Sequence, residues 1–399
     1  MMKRYGSIVI KFSIVAILAV LTGCQCSQRE KKNISRSVKS ADMRVADRNF
    51  PSVFQAWNPA DNLDEDPFVT LARHDLVFHS AQGFKLVWNN IHTGLADGFT
   101  SESINEGLSI RGKILELNPN MIILIEIRYR DAPPSWLPEG HQWWMRDSTG
   151  NLAYGWKEGG FIRLALDNPD FQERVAAQAA AAVRSGVADG VMLDWWNENE
   201  FTEARLGLLK KVREAIGKDG LIIVNSNDRK IPESAAYVNG LFMECYGSNN
   251  PENWEKIRTT LLWAEANLRT PRINCLETWF DGSRNDSCKM RATTTLTLTH
   301  SDGYCLFSDP NSLPVPDHLH NWYTFWDTPL GKPSGQGFER ADGSYQREYE
   351  GGTVIYNPVG SNPVSIKFSV GMKSMATGLT SEEHSINTYD GDIFVLPDR

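Results

Sequence analysis

Acidic residues stand at the ends of three short apolar segments of this 399-residue chain. Asp194 closes the segment Gly-Val-Met-Leu-Asp, Glu244 closes Gly-Leu-Phe-Met-Glu, and Glu277 follows Asn-Cys-Leu. Two carboxyl groups in one pocket can divide the work of an acid and a base, because one keeps a proton while the other is ionised. Cleavage of a glycosidic bond requires such a pair, with one group protonating the leaving oxygen and the other acting as nucleophile or base.

Asp194 carries the most specific signal of the three, because a buried strand that opens with Gly190 ends abruptly in this acid. The alternative is an aspartate that caps the next helix. Glu244 is predicted to be the general acid, and Glu277 is the alternative for that role. Either glutamate can instead be a structural or hydrogen-bonding residue, and a raised pKa would mark the acid.

Aromatic and polar side chains accompany these acids at the same segment ends. Sugar rings stack on aromatic rings, so tryptophan interleaved with carboxylates suits a carbohydrate substrate, while Arg128 and Asn225 suit hydroxyl groups. The predicted substrate-binding residues are Trp57, Glu126, Arg128, Trp195, Asn225, Tyr246, Trp279 and Asp309.

The elements that position these residues alternate between short apolar runs and amphipathic helical stretches. The runs are apolar without alternation, as in parallel strands buried on both faces. One helix start is well marked, since Asn168 suits the N-cap, Pro169 the first helical position and Asp170 the positive end of the helix dipole. About eight such repeats predict an α/β protein with a (β/α)₈ TIM barrel over residues 50–330, whose polar strand ends converge on one pocket. An open doubly wound sheet is the alternative, but no G-x-G-x-x-G turn follows a strand.

Two further regions extend this plan. The insertion from Asp131 to Leu166 carries Trp136, Trp143, Trp144 and Trp156, and we expect it to form a wall of the substrate cleft at the top of the barrel. Residues 331–399 show short strands with turn signals, which predict a small all-β, sandwich-like domain.

The N-terminus has the pattern of a processing signal. Lys3 and Arg4 precede an apolar run, and Leu21-Thr22-Gly23-Cys24 is a lipobox, in which the cysteine receives lipid. We predict a signal peptide over residues 1–23, lipidation at Cys24 and a flexible tether over residues 24–49. A plain transmembrane anchor is the alternative, but the apolar run is short for a span. A monomer in the cell envelope, attached to the membrane only through its lipid, is the expected form.

Composition and missing motifs exclude several other classes. The formal net charge of −8 argues against a nucleic-acid partner. No P-loop, G-x-S-x-G or H-E-x-x-H motif occurs, and the cysteines lack C-x-x-C spacing, so neither a cofactor nor a metal site is predicted. Whether Cys275 and Cys305 form a disulfide stays open at this level.

The segment Asp-Gly-Val-Met-Leu-Asp at 189–194 resembles the fourth strand of retaining glycosidase barrels of the α-galactosidase-like and α-glucosidase-like families. That resemblance implies that Asp194 is the nucleophile and that the acid follows strand six, where this chain has Glu244 in place of their Asp. The wider pattern is similar to the hypothetical glycosyl hydrolase family fifteen. It consists of Trp-Met-Arg-Asp at 144–147, Leu-Asp-Asn-Pro at 166–169, the strand-four motif, and Leu-Gly-Lys-Pro at 330–333.

A glycoside hydrolase is therefore the leading hypothesis. A glycan-binding lipoprotein that kept the barrel without the chemistry is the rival, and a barrel lyase or isomerase is a third option. A hydrolase must bring two carboxyl groups to one pocket near strands four and six. A binding protein could leave its carboxylates dispersed or paired with arginine.

Overall fold

A sheet of eight parallel strands forms the centre of the computed structural model, which describes residues 39–279, 284–309 and 317–397. The strands pair in chain order, and a parallel bridge between Val53 and Cys305 joins the first strand to the eighth, so the sheet closes into a barrel. The strands are β1 (Phe54–Ala56), β2 (Leu76–His79), β3 (Ile122–Glu126), β4 (Gly190–Leu193), β5 (Leu221–Asn225), β6 (Gly240–Tyr246), β7 (Cys275–Trp279) and β8 (Tyr304–Ser308).

Helices surround most of this barrel. They are α1 (Ala41–Asp47), α2 (Pro67–Ala72), α3 (Ser101–Leu117), α4 (Pro169–Arg184), α5 (Thr202–Ile216), α6 (Pro251–Asn267) and α7 (Ser287–His300). The predicted start of α4 is confirmed, since the Asn168 side chain accepts a hydrogen bond from the Phe171 N–H and Pro169 opens the helix. Residues 226–239, all of them described, form no helix, so the β5–β6 connection departs from the regular repeat. The predicted (β/α)₈ barrel is confirmed.

The prediction of a flexible tether up to residue 49 is wrong for helix α1. Arg44 of this helix is buried, and its guanidinium donates to both carboxylate oxygens of Asp189 and to the Met121 carbonyl. A polar stretch without large apolar side chains can therefore still dock, because a buried ion pair replaces apolar contacts. The predicted signal peptide and Cys24 lie outside the described residues.

The C-terminal residues form one continuous antiparallel sheet where the sequence predicted a sandwich. In spatial order its strands are β9, β10, β11, β14, β12 and β13. Their bounds are β9 (Phe338–Glu339), β10 (Tyr345–Tyr349), β11 (Gly352–Asn357), β12 (Val364–Ser374), β13 (Thr380–Ile386) and β14 (Asp390–Val395). Helix α7 packs on β11 and β14, so a barrel helix covers part of this sheet. Arg291 of α7 is ion-paired with Asp390 at 2.7 Å.

The insertion after β3 is mostly a packing element. Trp136, Trp143 and Trp144 are buried, and Trp136 and Trp143 pack on Phe171 of α4. The expectation that these tryptophans form a cleft wall is therefore wrong for the two that face only the interior, Trp143 and Trp144, because their rings join the core of the barrel.

Two smaller points complete the fold. Cys275 and Cys305 are both free thiols on neighbouring strands. Within the described ranges, no helix combines the length and apolarity that a membrane crossing requires.

Candidate active site

One asparagine joins the two carboxylates at the mouth of the barrel. Asp194 directly follows β4, Asn225 ends β5 and Glu244 lies in β6, so parallel pairing brings all three to the same rim. The Asn225 Nδ2 donates to Asp194 Oδ1 at 2.9 Å and to Glu244 Oε2 at 2.7 Å. These two oxygens are thus no farther apart than the two hydrogen bonds laid end to end. That limit is shorter than the gap of about 6.5 Å or more found in inverting glycosidases, and it suits the gap of about 5–5.5 Å of retaining ones.

The electrostatics of this pair favour a retained proton. Burial, and then the negative charges of Glu126 and Glu244, raise the pKa of Asp194 to about 7. Burial also raises the pKa of Glu244, with a further contribution from Glu277. Because the two acids are close and share a donor, the protonation state of one affects the pKa of the other.

Glu126 stands beside the pair as a third acidic side chain. It ends β3, and its carboxylate is ion-paired with Arg128 at 3.2 Å and accepts a hydrogen bond from Trp57 Nε1 at 3.0 Å. The same charge raises the pKa of Asp194, while Arg128 opposes that rise. The predicted residues Glu126, Arg128 and Trp57 thus form one connected group that borders Asp194.

The position of Glu277 does not suit the alternative role of general acid. Its side chain is 0 % exposed, and its carboxylate accepts from the Ser308 hydroxyl and pairs with His318 Nδ1 at 2.9 Å. Burial would lower the pKa of His318, but the charges of Glu277, Glu244 and Asp317 outweigh it and raise that pKa to about 10. A carboxylate held in a buried ion pair cannot reach a substrate, so Glu277 positions His318 beneath the site.

His318 is the main residue that the sequence analysis missed. Its ring stacks on Trp57 at 4.9 Å and lies near Phe242 at the barrel mouth. It comes from the segment after β8, where neither a motif nor a strand end marks it.

The predicted aromatic residues divide into supporting and exposed groups. Trp57 is half-buried between Phe78 and His318. Trp195 and Tyr246 are each 47 % exposed, and Tyr246 packs on Trp279 at 4.9 Å. The Arg130 guanidinium lies over the Trp195 ring, 4.4 Å from its centroid.

Asp309 does not join the carboxylate site through any contact seen in the described part of the chain. It is instead ion-paired with Arg284 at 3.0 Å, and Arg284 also binds Asp61 at 2.7 Å. Its predicted role in substrate binding therefore has less support than that of the other residues.

Two open spaces flank the barrel mouth. A narrow space lined by Asp194, Trp195, Glu126 and Arg128 adjoins a cavity of about 330 Å³ on the β2–β3 side. A larger cleft of about 630 Å³ lies between the residues after β4, the β5–β6 connection and α6. Asp194 lines the narrow space and not the larger cleft, whereas Glu244 lines none of these spaces.

Sequence and structure comparisons place the chain among proteins of related sequence and fold. The hypothetical glycosyl hydrolase family 15 matches residues 195–353, a range that includes Glu244 and begins one residue after Asp194. No curated protein sequence is significantly similar to the chain.

Solved structures share the fold at low sequence identity. An alpha-amylase from Malbranchea cinnamomea superposes with a TM-score of 0.54 at 8 % identity, covering 90 % of this chain and 98 % of that one. A maltogenic alpha-amylase from Thermotoga neapolitana gives 0.52 at 10 %, covering 87 % and 99 %. A cyclic alpha-maltosyl-(1→6)-maltose hydrolase from Arthrobacter globiformis gives 0.51 at 10 %, covering 88 % and 99 %.

The family match and the barrel together define the class of this protein as a glycoside hydrolase on a (β/α)₈ barrel. Its resemblance to the hypothetical glycosyl hydrolase family 15, expected from short motifs, is confirmed over residues 195–353.

Proposed function

We propose that this protein hydrolyses glycosidic bonds at the cell envelope, with Asp194 and Glu244 as its catalytic carboxylates. The observation that carries the proposal is the single Asn225 amide that donates to both carboxylates. It holds the two groups at a separation suited to retention of configuration.

In the proposed reaction, Asp194 attacks the anomeric carbon while Glu244 gives its proton to the leaving oxygen. The glycosidic C–O bond breaks as the bond to Asp194 forms, which leaves a glycosyl ester on Asp194. Glu244, now ionised, takes a proton from water, the water oxygen attacks the anomeric carbon, and Asp194 leaves as a carboxylate. Burial raises the pKa values of both carboxyl groups, so a raised pKa does not by itself distinguish the acid from the nucleophile. Asp194 is assigned as the nucleophile from its strand-four motif, and Arg128, which lowers its pKa, favours its ionised form.

The surrounding side chains support this cycle. Glu126, Arg128 and Asn225 present fixed polar groups around Asp194. Trp195, Tyr246 and Trp279 offer aromatic faces for stacking at the open side of the mouth. The carboxyl groups of Asp194 and Glu244 share one donor, and neither forms a salt bridge with an arginine in the described part of the chain, which favours the hydrolase over the binding-only alternative.

Azide rescue tests the two roles separately. The mature protein is assayed on a panel of aryl α- and β-glycosides together with starch, plant and bacterial-wall glycans. Starch is included because the similar structures are named as alpha-amylases. Azide can replace the missing carboxylate as a small nucleophile. We expect Asp194→Ala with azide to yield a glycosyl azide of inverted configuration, and Glu244→Ala with azide to yield one of retained configuration.

The outcomes of this assay are distinct. Rescue of the opposite configuration in each variant would exchange the two roles. Full activity of both variants on the substrate that the wild type cleaves would overturn the catalytic pair. Binding of a glycan without hydrolysis by the wild type would favour the binding protein.

We further propose that Cys24 carries the lipid that holds the protein in the cell envelope. The lipobox supports this proposal. Growth of expressing cells with radiolabelled palmitate is the test. Label is expected in the wild type and in Cys26→Ser, the matched control two residues away, and it is expected to be lost in Cys24→Ser. Label retained in Cys24→Ser would contradict the proposal.

A further inference from the structure

A groove leaves the carboxylate site on the side of β2 and β3. The narrow space beside Asp194 shares Glu126 and Arg128 with the cavity of about 330 Å³. That cavity shares Trp88, Ile91 and Thr93 with an outer cavity of about 410 Å³. Shared lining residues therefore connect the space beside Asp194, which is itself only about 10 Å³, to the outer cavity at Ile91. Each cavity lies in the range of roughly 300–1,000 Å³ at which proteins hold small organic ligands.

The lining of this groove mixes aromatic rings with neutral amides and hydroxyls. The aromatic members are Trp88, Trp136 and Phe161, and the polar members are Gln82, Asn89, Asn90, Thr93 and Ser135. Apart from Glu126 and Arg128 at its inner end, the lining carries no charged side chain among the described residues. Aromatic faces with a few placed polar groups suit a neutral sugar, whose C–H faces stack and whose hydroxyls hydrogen-bond.

Gln178 supplies a fixed polar group in the inner cavity. Its side chain belongs to α4, is 1 % exposed and donates through Nε2 to the Thr93 carbonyl at 2.7 Å and the Ala96 carbonyl at 3.2 Å. Its Oε1 has no hydrogen-bond partner within the described residues. Because the two Nε2 hydrogen bonds fix the amide, its oxygen is placed to accept a hydrogen bond from a ligand hydroxyl in the cavity that Gln178 lines.

Trp88 is held rigidly at the junction of the two cavities. Its ring packs on Phe99 with centroids 4.1 Å apart, and its backbone pairs with Phe99 in an antiparallel bridge. Ile91, at the outer end, is 93 % exposed. A preorganised ring binds a ligand at a low entropic cost, and an isolated exposed aliphatic side chain extends that apolar surface.

We propose that this groove binds a second part of the glycan, beyond the sugar that is cleaved at Asp194, so that the natural substrate is a chain of several sugars. Trp88 is the stacking platform of this distal site, and Gln178 accepts a hydroxyl. The inference rests on the proposed glycosidase function, because it takes the groove as a continuation of that catalytic site.

The test compares chain lengths in Trp88→Ala, Trp88→Phe and Ile91→Ala. Leu379→Ala is the matched control for Ile91→Ala, since Leu379 is 67 % exposed on the C-terminal sheet. On the polysaccharide or long oligosaccharide that the wild type cleaves, Trp88→Ala should lower kcat/KM about tenfold or more, while Trp88→Phe keeps most of it. On an aryl monoglycoside both should match the wild type. Ile91→Ala should show a smaller loss, confined to long substrates, and Leu379→Ala none.

Binding separates failure of the groove from failure of the hydrolase. Affinity electrophoresis through gels containing soluble starch, xylan or carboxymethylcellulose, and pull-down on peptidoglycan, use Glu244→Gln with and without Trp88→Ala. Retardation that depends on Trp88 without any hydrolysis by the wild type would keep the groove and sink the catalytic proposal.

Two results would overturn the groove itself. One is equal loss on long and short substrates in a folded Trp88→Ala protein, with thermal unfolding as the check because this ring packs on Phe99. The other is binding to none of these glycans, or Ile91-dependent binding to anionic phospholipid vesicles in their place.

Discussion

The two ends of strand β4 carry aspartates in opposite electrostatic surroundings. Asp189, at the N-terminal end, receives Arg44 and Arg111, the latter at 2.6 Å, and accepts from the Ile123 N–H at 2.9 Å. Burial alone would raise its pKa, but the two arginines outweigh burial and lower the pKa. Asp194, at the C-terminal end, meets Glu126 and Glu244 instead, and its pKa rises to about 7.

This contrast separates stabilisation from chemistry within one strand. A buried carboxylate that is paired with arginine at the closed end of a barrel contributes to folding. A carboxylate forced among other carboxylates at the open end costs folding energy and is retained for function. Each variant below tests one side of that comparison.

The largest effect is expected for Asp194→Asn. Loss of the nucleophile should lower kcat by at least about 10⁴-fold, while the thermal unfolding temperature stays equal to or exceeds that of the wild type. The amide replaces a group whose ionised form is destabilised by its neighbours. Hydrolysis rates and calorimetry measure the two properties. A clear fall in unfolding temperature would contradict the comparison.

Asp189→Asn should behave in the opposite way. Removing one partner leaves the buried Arg44 without its counter-charge, so we expect a loss of about 3–5 kcal/mol in the free energy of unfolding. Activity per folded molecule should stay near that of the wild type. Urea unfolding checks the change. The double variant Arg44→Met/Asp189→Asn serves as control and should lose less than the two single changes added together.

The pH dependence of stability should differ at the two ends. The pKa of Asp194 is raised, so between about pH 4 and 7 the unfolded chain ionises while the folded site keeps its proton, and the folded state loses stability as pH rises. The free energy of unfolding of Asp194→Asn should therefore increase by a few kcal/mol relative to that of the wild type across this interval.

For Asp189 the sign is reversed. Its pKa is lowered, so its stabilisation is present above the ordinary carboxyl pKa of 3.8 and is lost as pH falls through the lowered pKa. The loss in the free energy of unfolding caused by Asp189→Asn should be constant above about pH 5. Urea unfolding at several pH values measures both trends, and parallel curves for the two variants would refute them.

Asn225→Ala should weaken catalysis by changing the pKa values of the two carboxyl groups and not by weakening substrate binding. The Asn225 hydrogen bonds lower the pKa values of Asp194 and Glu244, so their removal should shift the basic limb of the pH–rate profile to higher pH. We expect kcat to fall about 100-fold. Asn227→Ala is the matched control, because Asn227 donates to the Glu244 backbone carbonyl and not to its carboxylate. An unshifted limb would show that Asn225 acts otherwise.

The smallest effect is expected for Trp57→Phe. This change keeps the ring on His318 but removes the hydrogen bond to Glu126, so kcat/KM should fall about tenfold. Trp322→Phe loses an equivalent bond to Asp327, away from the carboxylates, and should leave kcat/KM unchanged. Equal losses in both variants would mean that the Trp57 bond serves folding alone.

The barrel and the rim on which the acids lie could be predicted from local patterns in the amino-acid sequence. Short apolar runs, helix signals such as Asn168-Pro169, and carboxylates at strand ends are local patterns, and they report directly which segments are buried and where each strand stops. Because parallel strands end at one rim, the positions of Asp194 and Glu244 at strand ends are enough to predict that they lie on the same face of the barrel.

The pairing of polar side chains from distant parts of the chain could not be predicted from the sequence and is seen only in the tertiary structure. Glu277 is separated by 41 residues from His318, the partner that takes it out of the catalytic role. Arg44 docks from a stretch that reads as a tether, and most of the inserted tryptophans join the core. Periodicity shows that a side chain is buried or exposed, but the energy of a buried charge depends on which distant groups the fold brings within hydrogen-bonding distance.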